Sequence, residues 1–304
     1  MNDTKYNALV VLGSTASGKT ALAARLAATL GGEILSVDSR QVYRGLDIGS
    51  GKDLSEYTVD GRAIPYHLID IVDLGVEFNV FEYQRAFFAA FDDVLARGAL
   101  PIAAGGTGLY LDAILSGFLM PETPVNPELR AELETLDDTA LEARLLAAKG
   151  RLHNTTDTCD RDRMVRAIEI AEYAAAHSPE PAPEVRAMLL GTLWDRDVLR
   201  KRVALRLHTR LENGMIEEVE ALHAQGWDWP RLEALGLEYR FIAEFLQGTI
   251  NNRNDLFQKL YAAIIQFAKR QDTWFRRMER NGKTIHWVPN AEFGAAMQII
   301  ARLT

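Results

Sequence analysis

Residues 13–20 read GSTASGKT, behind the apolar run ALVVL and ahead of the alanine-rich KTALAARLAATL. No other stretch restricts the fold as strongly. Gly13, Gly18, Lys19 and Thr20 match G-x-x-x-x-G-K-[ST], in which glycines let the backbone curl so that its N–H groups converge on phosphate oxygens. Lys19 adds a point charge, and the Thr20 hydroxyl suits a Mg²⁺ ligand. Such a loop belongs between a buried strand and a helix N-terminus, and both flanks have that character. Read instead as a bare turn, it would set Lys19 against the positive end of a helix with nothing gained. Gly13, Ser14, Thr15, Ala16, Ser17, Gly18, Lys19 and Thr20 are therefore the expected phosphate-binding residues. The loop does not choose the reaction, because kinases, NTPases and other transferases share it.

The rest of the chain extends the strand–helix pattern. GEILSVD, ALPIAAGGTG and RAMLLGTLW read as further buried strands, KTIHWV as a short last one, and FNVFEYQRAFFAAFDDVLARG as a helix. Apolar strands alternating with helices predict an α/β fold: a P-loop NTPase-like parallel sheet flanked by helices. Near Pro121 the pattern becomes proline-punctuated and then helical, up to the linker-like SPEPAPEV. This predicts a helical insertion domain at 120–185 inside a core made of 1–119 and 186–304. After Asp195 the chain reads as mostly helical to about Arg280.

Composition excludes several classes. No apolar run reaches the roughly 18 residues of a membrane helix, and the N-terminus shows no secretory pattern. Cys159 is the sole cysteine, so no internal disulfide forms; a cytoplasmic setting follows. A net charge of −8 argues against a general nucleic-acid binder, but net charge averages over the surface. Two basic strips stand out locally. FAKRQDTWFRRMER (267–280) carries five cations against two acids, interleaved with Trp274 and Phe275, as suits single-stranded RNA. RDVLRKRVALRLHTR carries Arg196, Arg200, Lys201, Arg202, Arg206 and Arg210. The alternatives are an amphipathic helix burying its aromatics and a solvated, salt-bridged helix face.

Asp38 ends the second strand and is followed by SRQVYRGLDIGSGK. An acid there helps hold a metal, directly or through a water, or simply caps a turn or helix. Gln41 and Tyr43 beside it suit a planar base. GGTG (105–108), after the third strand, allows close backbone approach and offers the Thr107 hydroxyl.

Taken in order, GSTASGKT, DSRQVYRGLDIGS, YHLIDIVD, FNVFEYQ, GGTGLYLDAIL, DRMVRAIEI, RLENGMIEEVEAL and FAKRQDTWFRR resemble the tRNA dimethylallyltransferases (tRNA isopentenyltransferases), over most of the chain. The resemblance implies transfer of a dimethylallyl group from dimethylallyl diphosphate to N6 of the adenosine just 3′ of the anticodon, with Mg²⁺ and release of diphosphate. It implies Asp38 as general base, Thr20 as metal ligand, and Arg202 reaching the diphosphate, with Arg206 one helical turn on as the alternative. Asp38, Ser39, Arg40, Gln41 and Thr107 fall near the acceptor base. Arg163, Arg166, Lys269, Arg270, Gln271 and Trp274 fall on tRNA-contacting segments. The expected protein is monomeric, with tRNA and dimethylallyl diphosphate as partners and no membrane. Where the family reads A-[IV]-G-Y-[KR], this chain has ALGLEYRFI, so Tyr239 and Arg240 are shifted substitutes at best. With a single cysteine, a C-terminal zinc finger is not expected. The competing readings are an adenylate dimethylallyltransferase acting on a free nucleotide, a P-loop small-molecule kinase, and a non-catalytic RNA-binding module.

Overall fold

The computed structural model describes residues 5–149, 160–177 and 180–303; Cys159 lies outside them. In chain order the elements are β1 (Ala8–Leu12), α1 (Lys19–Leu30), β2 (Gly32–Val37), β3 (Thr58–Val59), β4 (Arg62–Ala63), β5 (Tyr66–His67), α2 (Val80–Ala96), β6 (Leu100–Gly105) and α3 (Gly108–Ile114). Then follow α4 (Pro127–Glu134), α5 (Asp138–Lys149), α6 (Arg161–Ala176), β7 (Ala187–Leu193), α7 (Arg196–Glu212), α8 (Met215–Ala224), α9 (Trp229–Ala234), α10 (Leu237–Leu246), α11 (Arg253–Arg280), β8 (Ile285–Pro289) and α12 (Phe293–Leu303).

The chain forms two compact units, one from Met1–Ser116 with Pro183–Thr304 and one from Gly117–Ala182. The larger unit is built on a six-stranded sheet in the order β5-β2-β6-β1-β7-β8, with every pairing parallel. β1 is buried at all five positions, as a central strand covered on both faces must be. One face packs Leu9, Val11, Met188 and Leu190 against Leu22, Leu26 and Ala27 of α1 and Ala296 and Ile300 of α12. α2 starts with a capping box, in which Asn79 accepts from the first-turn N–H groups and Glu82 reaches back to the Asn79 N–H. It buries Tyr83, Phe87 and Phe91, and Tyr83 Oη donates to Ser36 O at 2.8 Å. Alternation and apolar runs in the sequence reveal five of the six strands. The sixth, β5, is two residues long and lies in a loop-rich stretch without a readable period. The C-terminal α12 is likewise unannounced by the sequence reading.

The smaller unit has its own core, made of Leu129, Leu133, Leu141, Leu145, Met164 and Ile168 from α4, α5 and α6. Glu169 is buried within it. It accepts from Arg130 Nε and Nη2 at 2.9 Å each and from Asn126 N at 2.9 Å. The unit begins at Gly117 rather than at the proline-rich stretch. The two crossing segments already pair there, through Leu119 N to Glu180 O (2.7 Å) and Ala182 N to Gly117 O (3.2 Å). Composition marks where helix resumes, whereas backbone pairing marks where the unit closes.

Candidate active site

Strand register brings the site together. Leu12 pairs with Gly105 and with Gly191, and Val37 also pairs with Gly105. The segments after β1, β2, β6 and β7 therefore leave the sheet at one level, at its carboxyl edge, where open parallel sheets bind ligands. Those segments carry the 13–18 loop, Asp38, Thr107 and Trp194.

The loop is held from several sides. Gly18 (φ +79°) and Ala16 (φ +61°) are both left-handed, which makes the curl. Thr192 Oγ1 lies 2.7 Å from Ser17 Oγ, and Trp194 Nε1 donates to Ser17 O at 2.8 Å. From α7, Arg202 Nε donates to Ala16 O at 3.0 Å while its guanidinium stacks over Trp194 at 4.2 Å. Arg206 donates to Thr15 Oγ1. Both arginines left open by the sequence thus touch the loop. From α11, Gln271 Oε1 accepts from Thr15 N at 2.8 Å. Lys19 Nζ donates to Ser14 O at 3.4 Å.

Cations crowd this end. Burial, and then the neighbouring Arg206, lower the Lys19 ammonium to about 8. Burial, and then Arg210, lower Arg206 to about 10. Crowded, desolvated cations are costly alone and become favourable beside a polyanion. Acids balance them only in part. Arg210 pairs with Asp53 at 2.9 Å, and burial raises the Glu56 and Glu238 carboxyls. A cavity of about 510 Å³ opens beside the loop, lined by Ala16, Ile48, Lys52, Arg202, Leu205 and Arg206 among others.

On the opposite side, Asp38 Oδ1 accepts from Arg40 N at 2.8 Å and Gln41 N at 3.3 Å, an Asx turn. Ser39, Arg40 and Thr107 are half-buried. Gln41 donates to Gly51 O at 3.0 Å and accepts from Ser36 Oγ at 2.8 Å, so its amide shapes this loop. Lys52, nearly fully buried, donates to Tyr43 O at 2.7 Å, to Asp47 at 3.1 Å and to Asp70. Asp38 and Lys52 thereby fix the two ends of one shaped loop.

Of the remaining expected residues, Lys269 and Arg270 are exposed on α11. Trp274 donates to Asp112 at 2.9 Å and fills the space over Gly108, where a Cβ would strike its ring. Gln271 is buried between the phosphate loop and Gly106. In the smaller unit, Arg163 pairs with Asp160 at 3.0 Å and Arg166 with Glu169 at 3.1 Å. Tyr239 is buried, and Arg240 pairs with Glu244 at 3.7 Å. Thr192, Trp194, Lys52 and Glu218 also shape the site, although no motif assigns them a role. Trp194 had a signal, since it follows β7 as Asp38 follows β2.

A parallel sheet with a cationic loop at its carboxyl edge, facing an acid-bearing loop, defines the P-loop class of phosphate-ester enzymes. Within that class the chain belongs to the IPP transferase family, which its sequence matches over residues 41–278; residues 6–66 also match the isopentenyl transferases. It is 57% identical over 282 residues to tRNA dimethylallyltransferase 1 of Geotalea uraniireducens, covering 93% of this chain and 92% of that one. It is 56% identical over 287 residues to tRNA dimethylallyltransferase 2 of Trichlorobacter lovleyi, covering 94% and 92%. Its fold is similar to the crystal structure of the full-length tRNA isopentenylpyrophosphate transferase from Bacillus halodurans (TM-score 0.69, 30% identity, 97% and 95% covered). A eukaryotic dimethylallyltransferase acting on tRNA shares the fold at 23% identity (TM-score 0.77, 97% and 77% covered).

Proposed function

We propose that this chain transfers a dimethylallyl group from dimethylallyl diphosphate to N6 of the adenosine just 3′ of the anticodon in tRNA, as a monomer in the cytoplasm. The observation that carries this reading is the convergence of the Lys19, Arg202 and Arg206 cluster with the Asp38 loop at one sheet edge. Membership of the IPP transferase family supports it, and among the described residues no helix is long and apolar enough to cross a membrane.

The exocyclic amine of adenine is a weak nucleophile, because its lone pair is delocalised into the ring. Asp38 would take its proton as the nitrogen–carbon bond forms, with the Asx turn fixing the carboxylate. The bond from carbon to the diphosphate oxygen breaks, and the departing group gains charge. Loop N–H groups, Lys19 and the α7 arginines would stabilise that charge more in the transition state than in the ground state. The donor set suits magnesium: the Thr20 hydroxyl is a hard oxygen at the start of α1, and this ion takes few protein ligands when it binds with phosphates. Thr20 would hold it, and the bound ion would neutralise charge on the diphosphate. Extruding the base costs a few kcal/mol, which contacts from Ser39, Arg40, Thr107 and the α11 cations would offset. Arg163 and Arg166 would face the anticodon arm.

The test is incubation with labelled dimethylallyl diphosphate and Mg²⁺, offering unmodified tRNA, AMP or no acceptor. Label entering tRNA supports the proposal. Label entering AMP would instead identify an adenylate dimethylallyltransferase, and ATP consumption with the donor intact would identify a kinase.

A further inference from the structure

Gln271 occupies a position where α11 otherwise buries apolar groups. The buried stripe runs Leu256, Leu260, Ile264, Ala268, Gln271, Phe275 and Met278, and Gln271 is 7% exposed. A buried amide is costly unless both its ends are paired. Both are: Oε1 accepts from Thr15 N at 2.8 Å, and Nε2 donates to Gly106 O at 2.9 Å. At Gly106 a Cβ would collide with that same amide and with Gly13 O. One side chain therefore spans the phosphate loop and the turn that carries Thr107. We infer that Gln271 is a positioning residue for the donor diphosphate, holding Thr15 so that the loop keeps its curl before the donor arrives, rather than a contact to RNA.

The inference rests on the 13–20 loop being the diphosphate site. A loop ordered in advance loses less entropy when it binds and aims its remaining donors correctly. Leucine at 271 would approximate the volume and remove both hydrogen bonds. Ionised glutamate would keep an acceptor for Thr15 N, lose the donor to Gly106 O and add a negative charge near the anion. Protonated glutamic acid would restore both bonds.

The experiment titrates the full-length chain with inorganic diphosphate, for wild type, Gln271→Leu and Gln271→Glu, and measures tRNA affinity in parallel. Gln271→Leu should weaken diphosphate binding by about tenfold or more, from the loss of two hydrogen bonds, and leave the tRNA Kd within about twofold. For Gln271→Glu, the ratio of its diphosphate Kd to that of wild type should shrink as pH falls from about 8 to about 5.5, because protonation removes the added charge and restores both bonds; a ratio independent of pH would place the 271 side chain out of reach of the bound diphosphate and overturn the inference. Hydrogen exchange on ligand-free wild type needs no variant and should find the Thr15 amide protected. Diphosphate binding by Gln271→Leu equal to wild type, weakened tRNA binding alone, or a freely exchanging Thr15 amide overturns the inference. Failure of the wild type itself to bind diphosphate removes the donor-site reading, and this inference with it.

Discussion

Tyr239 Oη donates a 2.7 Å hydrogen bond to Glu218, and the same carboxylate accepts from Ile48 N at 2.6 Å and Gly49 N at 3.2 Å. Tyr239 presses on Gly49 so closely that a Cβ there would overlap its ring. α8 and α10 thus brace the far end of the loop that begins at Asp38. Tyr239→Phe should cost about 1.5 kcal/mol of stability, and Glu218→Ala about 3 kcal/mol because it also orphans two backbone N–H groups. Denaturant unfolding checks both, and a double variant should cost less than their sum.

Asp38, the proposed general base, also has a structural task, since Oδ1 holds the Arg40 and Gln41 N–H groups. Asp38→Asn keeps that acceptor and removes the proposed base. Transfer should fall about 10²- to 10⁴-fold while diphosphate binding persists; Asp38→Ala should abolish transfer, also with the donor still bound. Loss of donor binding in the asparagine variant would make Asp38 a metal ligand instead.

In the proposed donor site, Lys19 would link donor binding to pH. Its ammonium is lowered from 10.5 to about 8, first by burial and then by Arg206. The donor-free fold therefore holds this proton less tightly than the unfolded chain does. Its penalty is full below about 8 and is relieved as pH rises from about 8 towards 10.5, so stability gains from this group over that window. If Lys19 holds the diphosphate, binding needs its charged form, so Kd should climb about tenfold per pH unit above that pKa. In Lys19→Arg, calorimetry across this range should show the inflection gone; an unchanged inflection removes Lys19 from the donor site.

The exposed cations Lys269, Arg270, Arg276 and Arg280 on α11 are the expected phosphate contacts of the acceptor. The tRNA affinity should fall steeply with salt despite the acidic net charge, and each cation replaced by glutamine should lower the slope by roughly 0.7–0.9. Filter binding over a salt series measures this. A salt-independent affinity would exclude both basic strips.

Glu169 ties the smaller unit together. Hydrogen bonds from Arg130 hold it at about 2, against burial and below the ordinary 4.5. The stability it contributes is present above about 4.5 and is lost as pH falls towards about 2. Glu169→Gln should destabilise this unit by about 2 kcal/mol, less than a fully buried pair because the arginines are partly exposed. Faster hydrogen exchange in α4 and α6 at neutral pH reads this out.

What the chain announces by itself is whatever depends on local order. The 13–20 curl requires left-handed backbone at Gly18, and a fixed spacing records that need. Buried parallel strands must be apolar runs, so β1, β2, β6 and β7 are legible, and Asp38 and Thr107 follow from where β2 and β6 stop. The two-residue β5 is too short to show a period. Gln271 left a faint trace as a lone amide in the apolar stripe of α11, but a helical stripe cannot say what it packs against. Its partners, Thr15 and Gly106, lie 256 and 165 residues away. Glu218 meeting Ile48 and Arg202 reaching Ala16 are pairings of the same kind. Only the closed fold creates them, because a hydrogen bond depends on distances of a few ångströms that sequence separation does not encode.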